Sequence, residues 1–223
     1  MRMFARIALL TLIFHLLADI GSAQHVSIGA IGGVPLTDAF EKRATGVLFP
    51  RFTYTFNTKR YIVGPTADVS LPLGLRFEAD ALYTRLDYDS TIMGVDTFTR
   101  SATKANSWEF PLLLKRDFTA AAVKPYGDIG VALRHVAGTS HIVNTVFPSR
   151  VFELNTAPPE LIHDWTSGFV IGGGVEFRAG PLLLSPELRY TRWFRENFST
   201  ATGLFQSNLN EASVLLGLRW RAF

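Results

Sequence analysis

Eight times along this chain apolar and polar residues alternate one by one, and in the last seven of these stretches the second row collects charge. The pattern is plainest in "LRFEADALYTRLDY", Leu75 to Tyr88. Leu75, Phe77, Ala79, Ala81 and Tyr83 form one row, and Arg76, Glu78, Asp80 and Leu82 form the other. Successive side chains of a strand point to opposite faces, so a period of two predicts strands with one apolar and one ionised face. The eight stretches are 25–33, 60–71, 75–88, 106–118, 124–136, 168–178, 182–194 and 212–223.

The charged rows balance. Asp68, Glu78, Asp80, Glu109, Asp128, Glu176 and Glu187 stand against Arg76, Lys115, Arg134, Arg178, Arg189, Arg219 and Arg221. A one-sided soluble sheet has no reason to match its charges. A closed eight-stranded barrel has an interior just wide enough to be filled by side chains, and charges placed there must pair. The apolar rows then face lipid, where closure satisfies every backbone group. Small residues on the polar rows (Gly130, Ala132, Gly168, Gly172, Gly174 and Gly217) leave room for long Arg and Glu chains. Pro65, Pro111 and Pro186 interrupt the strands and predict bulges or strand ends. Tyr83, Trp108, Tyr190, Trp193 and Trp220 fall near strand ends, where aromatic girdles belong.

The connections alternate too. Residues 34–59, 89–104, 138–164 and 197–209 read as long loops, whereas "SLPLG", "RDFTAAAVK" and "RAGP" are short. That asymmetry is typical of outer-membrane barrels, with trimmed turns on one side and elaborated loops on the other. Arg2, Arg6 and the apolar stretch Ile7–Leu17 precede small residues at Gly21 and Ala23, which predicts a cleaved signal peptide over 1–23. The barrel domain is then 24–223, and its formal charge falls from +3 to +2 with the loss of two Arg and one Asp. With no basic cluster, nucleic-acid binding is not expected. The chain has no cysteine, which excludes disulfides, thiol catalysis and Cys zinc sites.

The leader, the eight strands and the stretches "WEFPLLLK", "KPYGDIGVALRH", "GGGVEFR" and "SPELRYTRW" resemble the outer-membrane β-barrel domain family of Gram-negative bacteria, with its small OmpA/OmpX-like members. The resemblance implies an all-β, eight-stranded antiparallel up-and-down transmembrane barrel, outer-membrane lipid around it and delivery by the barrel-assembly machinery. One departure stands out. Such barrels end on an aromatic residue with apolar residues at alternate positions behind it, but Phe223 is followed back by Arg221, Arg219 and Gly217. Either a bulge near Arg221 restores the phase, or the terminal residue hangs free.

Chemistry is sparse. His163, Asp164 and Ser167 suggest a nucleophile and base, yet no G-x-S-x-G elbow accompanies them. His135, His141 and His163 lack the tight spacing of a zinc site. The glycine runs at 28–33 and 171–175 do not open a helix, as a nucleotide fingerprint would require. Asn197–Ser199 matches a glycosylation acceptor but reads as ordinary loop. The expectation is a monomeric, non-enzymatic outer-membrane barrel without cofactor or metal, serving a structural or surface-interaction role through its long loops. The alternatives are a narrow channel, a lipid-modifying enzyme of the outer leaflet, and a soluble lipocalin-like periplasmic barrel whose apolar rows point inward.

Overall fold

The computed structural model of the chain describes residues 25–42, 51–118, 123–147, 150–156, 158–200 and 205–221. The expected signal peptide and Phe223 lie outside them. Among the described residues there are thirteen strands: β1 (Val26–Pro35), β2 (Phe40–Lys42), β3 (Arg51–Phe56), β4 (Ile62–Leu71), β5 (Leu75–Asp80), β6 (Leu82–Met93), β7 (Phe98–Asp117), β8 (Val123–Phe147), β9 (Arg150–Thr156), β10 (Trp165–Ala179), β11 (Leu182–Trp193), β12 (Phe205–Ser207) and β13 (Asn210–Arg221).

Eight staves close on themselves. β5 and β6 form a single stave interrupted at Ala81, and the antiparallel order runs β1, β4, β5/β6, β7, β8, β10, β11, β13. Closure comes from β1, which pairs with β4 on one side (Val26 opposite Val69) and with β13 on the other (Ser27 opposite Arg221). A closed ladder has no edge, so the backbone is satisfied without water across the staves. The β1–β13 register is continuous from Pro35–Ser213 to Ser27–Arg221, so there is no bulge up to Arg221. The outward row of the last stave ends in Trp220, which is 53% exposed.

Pairing settles each face. Arg76, Glu78, Asp80 and Leu82 are all buried, whereas Phe77 on the alternate row is 44% exposed. The same inversion holds around the barrel, with Val63, Leu112, Leu114, Ile129, Val131, Leu133, Ile171, Leu184, Leu188, Leu216 and Leu218 all exposed. The proline expectation holds in part: β5 ends at Asp80 and β6 starts at Leu82 beside Pro65 and Pro111, and the β10–β11 ladder is interrupted between Glu187 and Leu184, at Pro186, but none of the three brings a bulge. Pro65, Pro111 and Pro186 keep register opposite Ala30, Ala132 and Leu216, and no register shift accompanies them.

The staves run further than the alternation of apolar and charged residues indicates. β7 begins at Phe98 and β8 continues to Phe147, so much of the expected loops 89–104 and 138–164 is sheet. These extensions are rich in Thr, Val, Ile and Ser, residues that suit a wet pleated surface without an apolar–charged alternation. β3 adds to the outer part of β6, and β9 adds to the outer part of β8. Outside the barrel proper, β3, β6, β7, β8 and β9 therefore make one antiparallel sheet, and a separate two-stranded sheet, β2 with β12, sits beside it. A bulge in β8 marks the change: Asn106 pairs with Ala137 but Lys104 pairs with Ser140.

Candidate functional site

The interior is stacked in layers. Nearest the short-turn end lies an ion-pair network. Glu78 accepts from Lys115 Nζ at 2.8 Å and from Arg189 Nη2 at 3.3 Å through Oε1, and from Arg219 Nη1 at 2.6 Å through Oε2. Arg219 also meets Asp68 and reaches Glu176 at 3.0 Å. Arg189 binds Asp80 at 2.8 Å and Glu187 at 2.6 Å, and Lys115 binds Glu187 at 2.7 Å. Arg76 joins Glu176 and donates to Asp117 at 2.7 Å. Tyr126 hydroxyl donates to Glu187 at 2.9 Å, and its ring lies under Lys115 at 4.6 Å. Strand register explains the meeting: Arg76 faces Lys115 and Asp68 faces Glu78 across neighbouring staves.

Asp128 is the exception within this layer. It is 4% exposed, and neither carboxylate oxygen has a hydrogen-bond partner. Gly172 beside it makes the space: a Cβ there would lie 2.6 Å from Asp128 Oδ1.

Of the charges expected in the lumen, Arg134 and Glu109 form a second site further out, with Glu211. Arg134 donates to Glu109 Oε1 through Nη2 at 2.6 Å and through Nε at 3.1 Å, and to Glu211 Oε2. Its guanidinium lies 3.9 Å from the centre of the Trp193 ring. Trp193 is thus an inward residue, 1% exposed, and not part of a girdle. Its odd number puts it on the row of Glu187 and Arg189, and that parity was the available signal. Arg178 and Arg221 stay at the inner rim with Lys124: Arg178 is exposed, and Arg221 is half-buried. The buried network holds seven acids (Asp68, Glu78, Asp80, Asp117, Asp128, Glu176, Glu187) and four bases (Arg76, Lys115, Arg189, Arg219). The three rim bases offset the difference. Asp117 and Glu211 are the members that sequence reasoning missed, although both share the parity of the inward rows.

Between the two polar layers are apolar ones, Leu113, Ala132 and Val170 in one cluster and Ile31, Leu82 and Leu215 in another. Beyond Arg134 the mouth is filled by Phe40, Tyr88, Val136, Phe198 and Phe205, with Tyr54 and Phe56 against them. Phe205 stacks on Tyr54 at 4.9 Å. Burial first, and then the Glu160 carboxylate, push the Tyr54 phenol up to about 12. A cavity of ≈ 490 Å³ lies between Arg134 and this aromatic group, with Glu109, Glu211, Asn197, Phe40, Phe56 and Phe198 on its walls.

The outward surface gives the boundary of the membrane. Trp165, His135, Trp108 and Tyr83 stand opposite one another on four successive staves, and His135 stacks on Trp165 at 4.3 Å. Below this aromatic row β8 shows lipid-compatible residues down to Val123, a run of about 40 Å along the strand. Tilted at about 40°, that spans roughly 30 Å, the height of an apolar band with its interfaces. This is a small eight-stranded barrel of the outer-membrane type.

No protein-family model matches the chain, and no curated protein sequence does. Solved structures similar to it include the outer membrane protein OprG from Pseudomonas aeruginosa, at 13% identity and TM-score 0.49, with 88% of this chain and 94% of that one covered. Neisserial surface protein A is similar at 14% identity and TM-score 0.39, over 89% and 96% of the two chains. Ail, the attachment invasion locus protein of Yersinia pestis, is similar at 10% identity and TM-score 0.38, over 89% and 97%.

The other candidate groups do not assemble. His163 Nδ1 faces Glu196 O at 3.1 Å, His135 stacks on Trp165, and His141 Nδ1 contacts Thr103 Oγ1 at 2.6 Å. Burial holds His141 below the usual imidazole range. Ser167 points outward on β10 and makes no hydrogen bond to His163 among the described residues. No group of three metal-ligating residues occurs among the described residues.

Proposed function

We propose that this chain is a non-conducting, non-enzymatic barrel of the outer membrane that acts as a monomer through the sheet it raises beyond the bilayer, as a surface-interaction protein. The blocked lumen carries the reading. Lys115, Glu78 and Arg219 at 1%, Leu113 and Val170 at 0%, Trp193 at 1%, and Phe198 and Phe205 at 0% exposure succeed one another from the inner end to the outer. A permeation path needs an aqueous thread through every layer, and each of these layers contains side chains with almost no accessible surface. What the fold elaborates instead is the outer part of β6, β7 and β8 with β3 and β9 added, on the side where binding specificity usually resides. The separation of His163 from Ser167 favours the non-enzymatic reading over catalysis in the outer leaflet.

The test has two arms. Residues 24–223 refolded into planar bilayers should give no reproducible conductance steps, and steady single-channel steps would overturn the closed reading in favour of a narrow channel. The chain lacks cysteine, so Val95→Cys at the exposed tip between β6 and β7 provides a unique label. Membrane-impermeant maleimide should modify it on intact cells. Labelling only after lysis would place the sheet on the wrong side and refute the surface role.

A further inference from the structure

We propose that the outer vestibule is a binding site for a small amphipathic organic cation, a primary ammonium group carried on an apolar or aromatic body. The inference goes beyond the surface role, because it concerns the cavity inside the mouth and not the outer sheet. Three observations carry it.

The first is charge. Asp38 and Arg60, which also line the cavity, neutralise one another in an exposed pair at 2.7 Å. Arg134 must then serve both Glu109 and Glu211, so the walls hold two carboxyl groups against one guanidinium. The two carboxylates retain 18% and 20% side-chain exposure inside a closed barrel, whereas Asp68, Glu78, Asp80, Glu176 and Glu187 are at or below 5%, and both border this cavity. Glu109 Oε2 makes no hydrogen bond among the described residues. An anion would find little here, since Arg134 is committed to two carboxylates and to the face of Trp193.

The second is an acceptor without a donor. Asn197 is 2% exposed and borders the cavity; its Nδ2 donates to His163 O at 2.8 Å, and its Oδ1 has no partner. A buried amide oxygen left unpaired is costly, and Asn197 brings that polarity to the cavity lining. The third is the apolar part of the lining, to which Phe40, Phe56 and Phe198 contribute. Rings of this kind accept both an apolar body and a cation. A cavity of ≈ 490 Å³ is in the size range of small-molecule sites.

The experiment is titration calorimetry on residues 24–223 refolded in zwitterionic micelles, with phenethylammonium chloride as probe and 2-phenylethanol as its neutral counterpart. The ammonium should bind saturably at one site per barrel, and the alcohol should bind at least roughly tenfold more weakly, the value of one charge-assisted contact. Glu109→Gln, checked for folding by its mobility on an unboiled gel, should weaken the ammonium by a similar factor and leave the alcohol unchanged. Equal binding of both probes, no binding of the ammonium, or an unaltered ammonium affinity in folded Glu109→Gln would each overturn the proposal. The comparison of probes on the unmodified barrel needs no variant to fold. None of these outcomes bears on conductance or on the sidedness of Val95.

Discussion

Replacing Glu78 with glutamine should be among the most damaging neutralisations in the lumen. The carboxylate is 1% exposed and serves Lys115, Arg189 and Arg219 at once, at 2.8, 3.3 and 2.6 Å. Glutamine keeps the volume but supplies one acceptor oxygen in place of two and no charge. Lys115 would keep Glu187, Arg189 would keep Asp80 and Glu187, and Arg219 would keep Asp68 and Glu176. The three cations would still face one another across the space that Glu78 screened. Removing one partner of a buried ion pair costs about 3–5 kcal/mol, and the surviving partners place the expectation near 3 kcal/mol. Asp128→Asn, on β8 with β7 between it and the Glu78 stave, is the matched control. Both Asp128 oxygens lack a hydrogen bond, so neutralising it breaks none and should cost less than about 1 kcal/mol or stabilise. The assay is urea unfolding in detergent micelles, followed by tryptophan fluorescence and by loss of the fast unboiled gel band. Equal destabilisation by the two variants, or a Glu78→Gln barrel within about 0.5 kcal/mol of the parent, would refute the reasoning that pairing, and not burial alone, sets the worth of these charges.

Two further outcomes follow from packing and titration. Gly130→Ala should destabilise the barrel by about 2 kcal/mol in the same unfolding assay, because its Cβ would stand 2.0 Å from Leu112 O on the neighbouring stave and the backbone would have to move. His141, buried against Thr103 in the outer part of β8, favours its neutral form in the folded state, so its stabilising contribution is present above its ordinary value of 6.5 and is lost as pH falls below that. Amide protection factors in the outer parts of β7 and β8, corrected for intrinsic exchange, should therefore fall between pH 7.5 and 5 in the parent more than in His141→Gln, and identical profiles would count against it.

Much of the barrel is legible in the sequence because one physical constraint is written into every stave. Lipid outside and charge inside force a period of two, and Arg76, Glu78 and Asp80 against Phe77 and Ala79 declare it without tertiary information. The stretches outside the bilayer escape the same reading. Thr91, Thr99 and Thr145 sit in regular ladders, yet the inward residues there are Ser90, Ser101, Thr103 and His141, which removes the apolar–charged contrast, and their strands read as loops. The vestibule is illegible for a different reason. Glu109, Arg134, Asn197 and Glu211 belong to four separate parts of the chain, and only closure of the barrel brings them to one cavity. Trp193 shows where parity outweighs residue type: an aromatic near a strand end suggests a girdle, but its row fixes it inside.

The extra residue that β8 carries between Ala137 and Ser140 separates two codes. Below it the even-numbered side chains of β8, Arg134 and Val136 among them, turn inward; above it His141 does. The irregularity acts as a phase joint between the stave in lipid and the sheet in water. Changes of length above the joint can be taken up there without rotating Asp128 or Arg134 into the bilayer. The exterior of this protein is thereby free to vary in sequence and length while the membrane portion keeps its register.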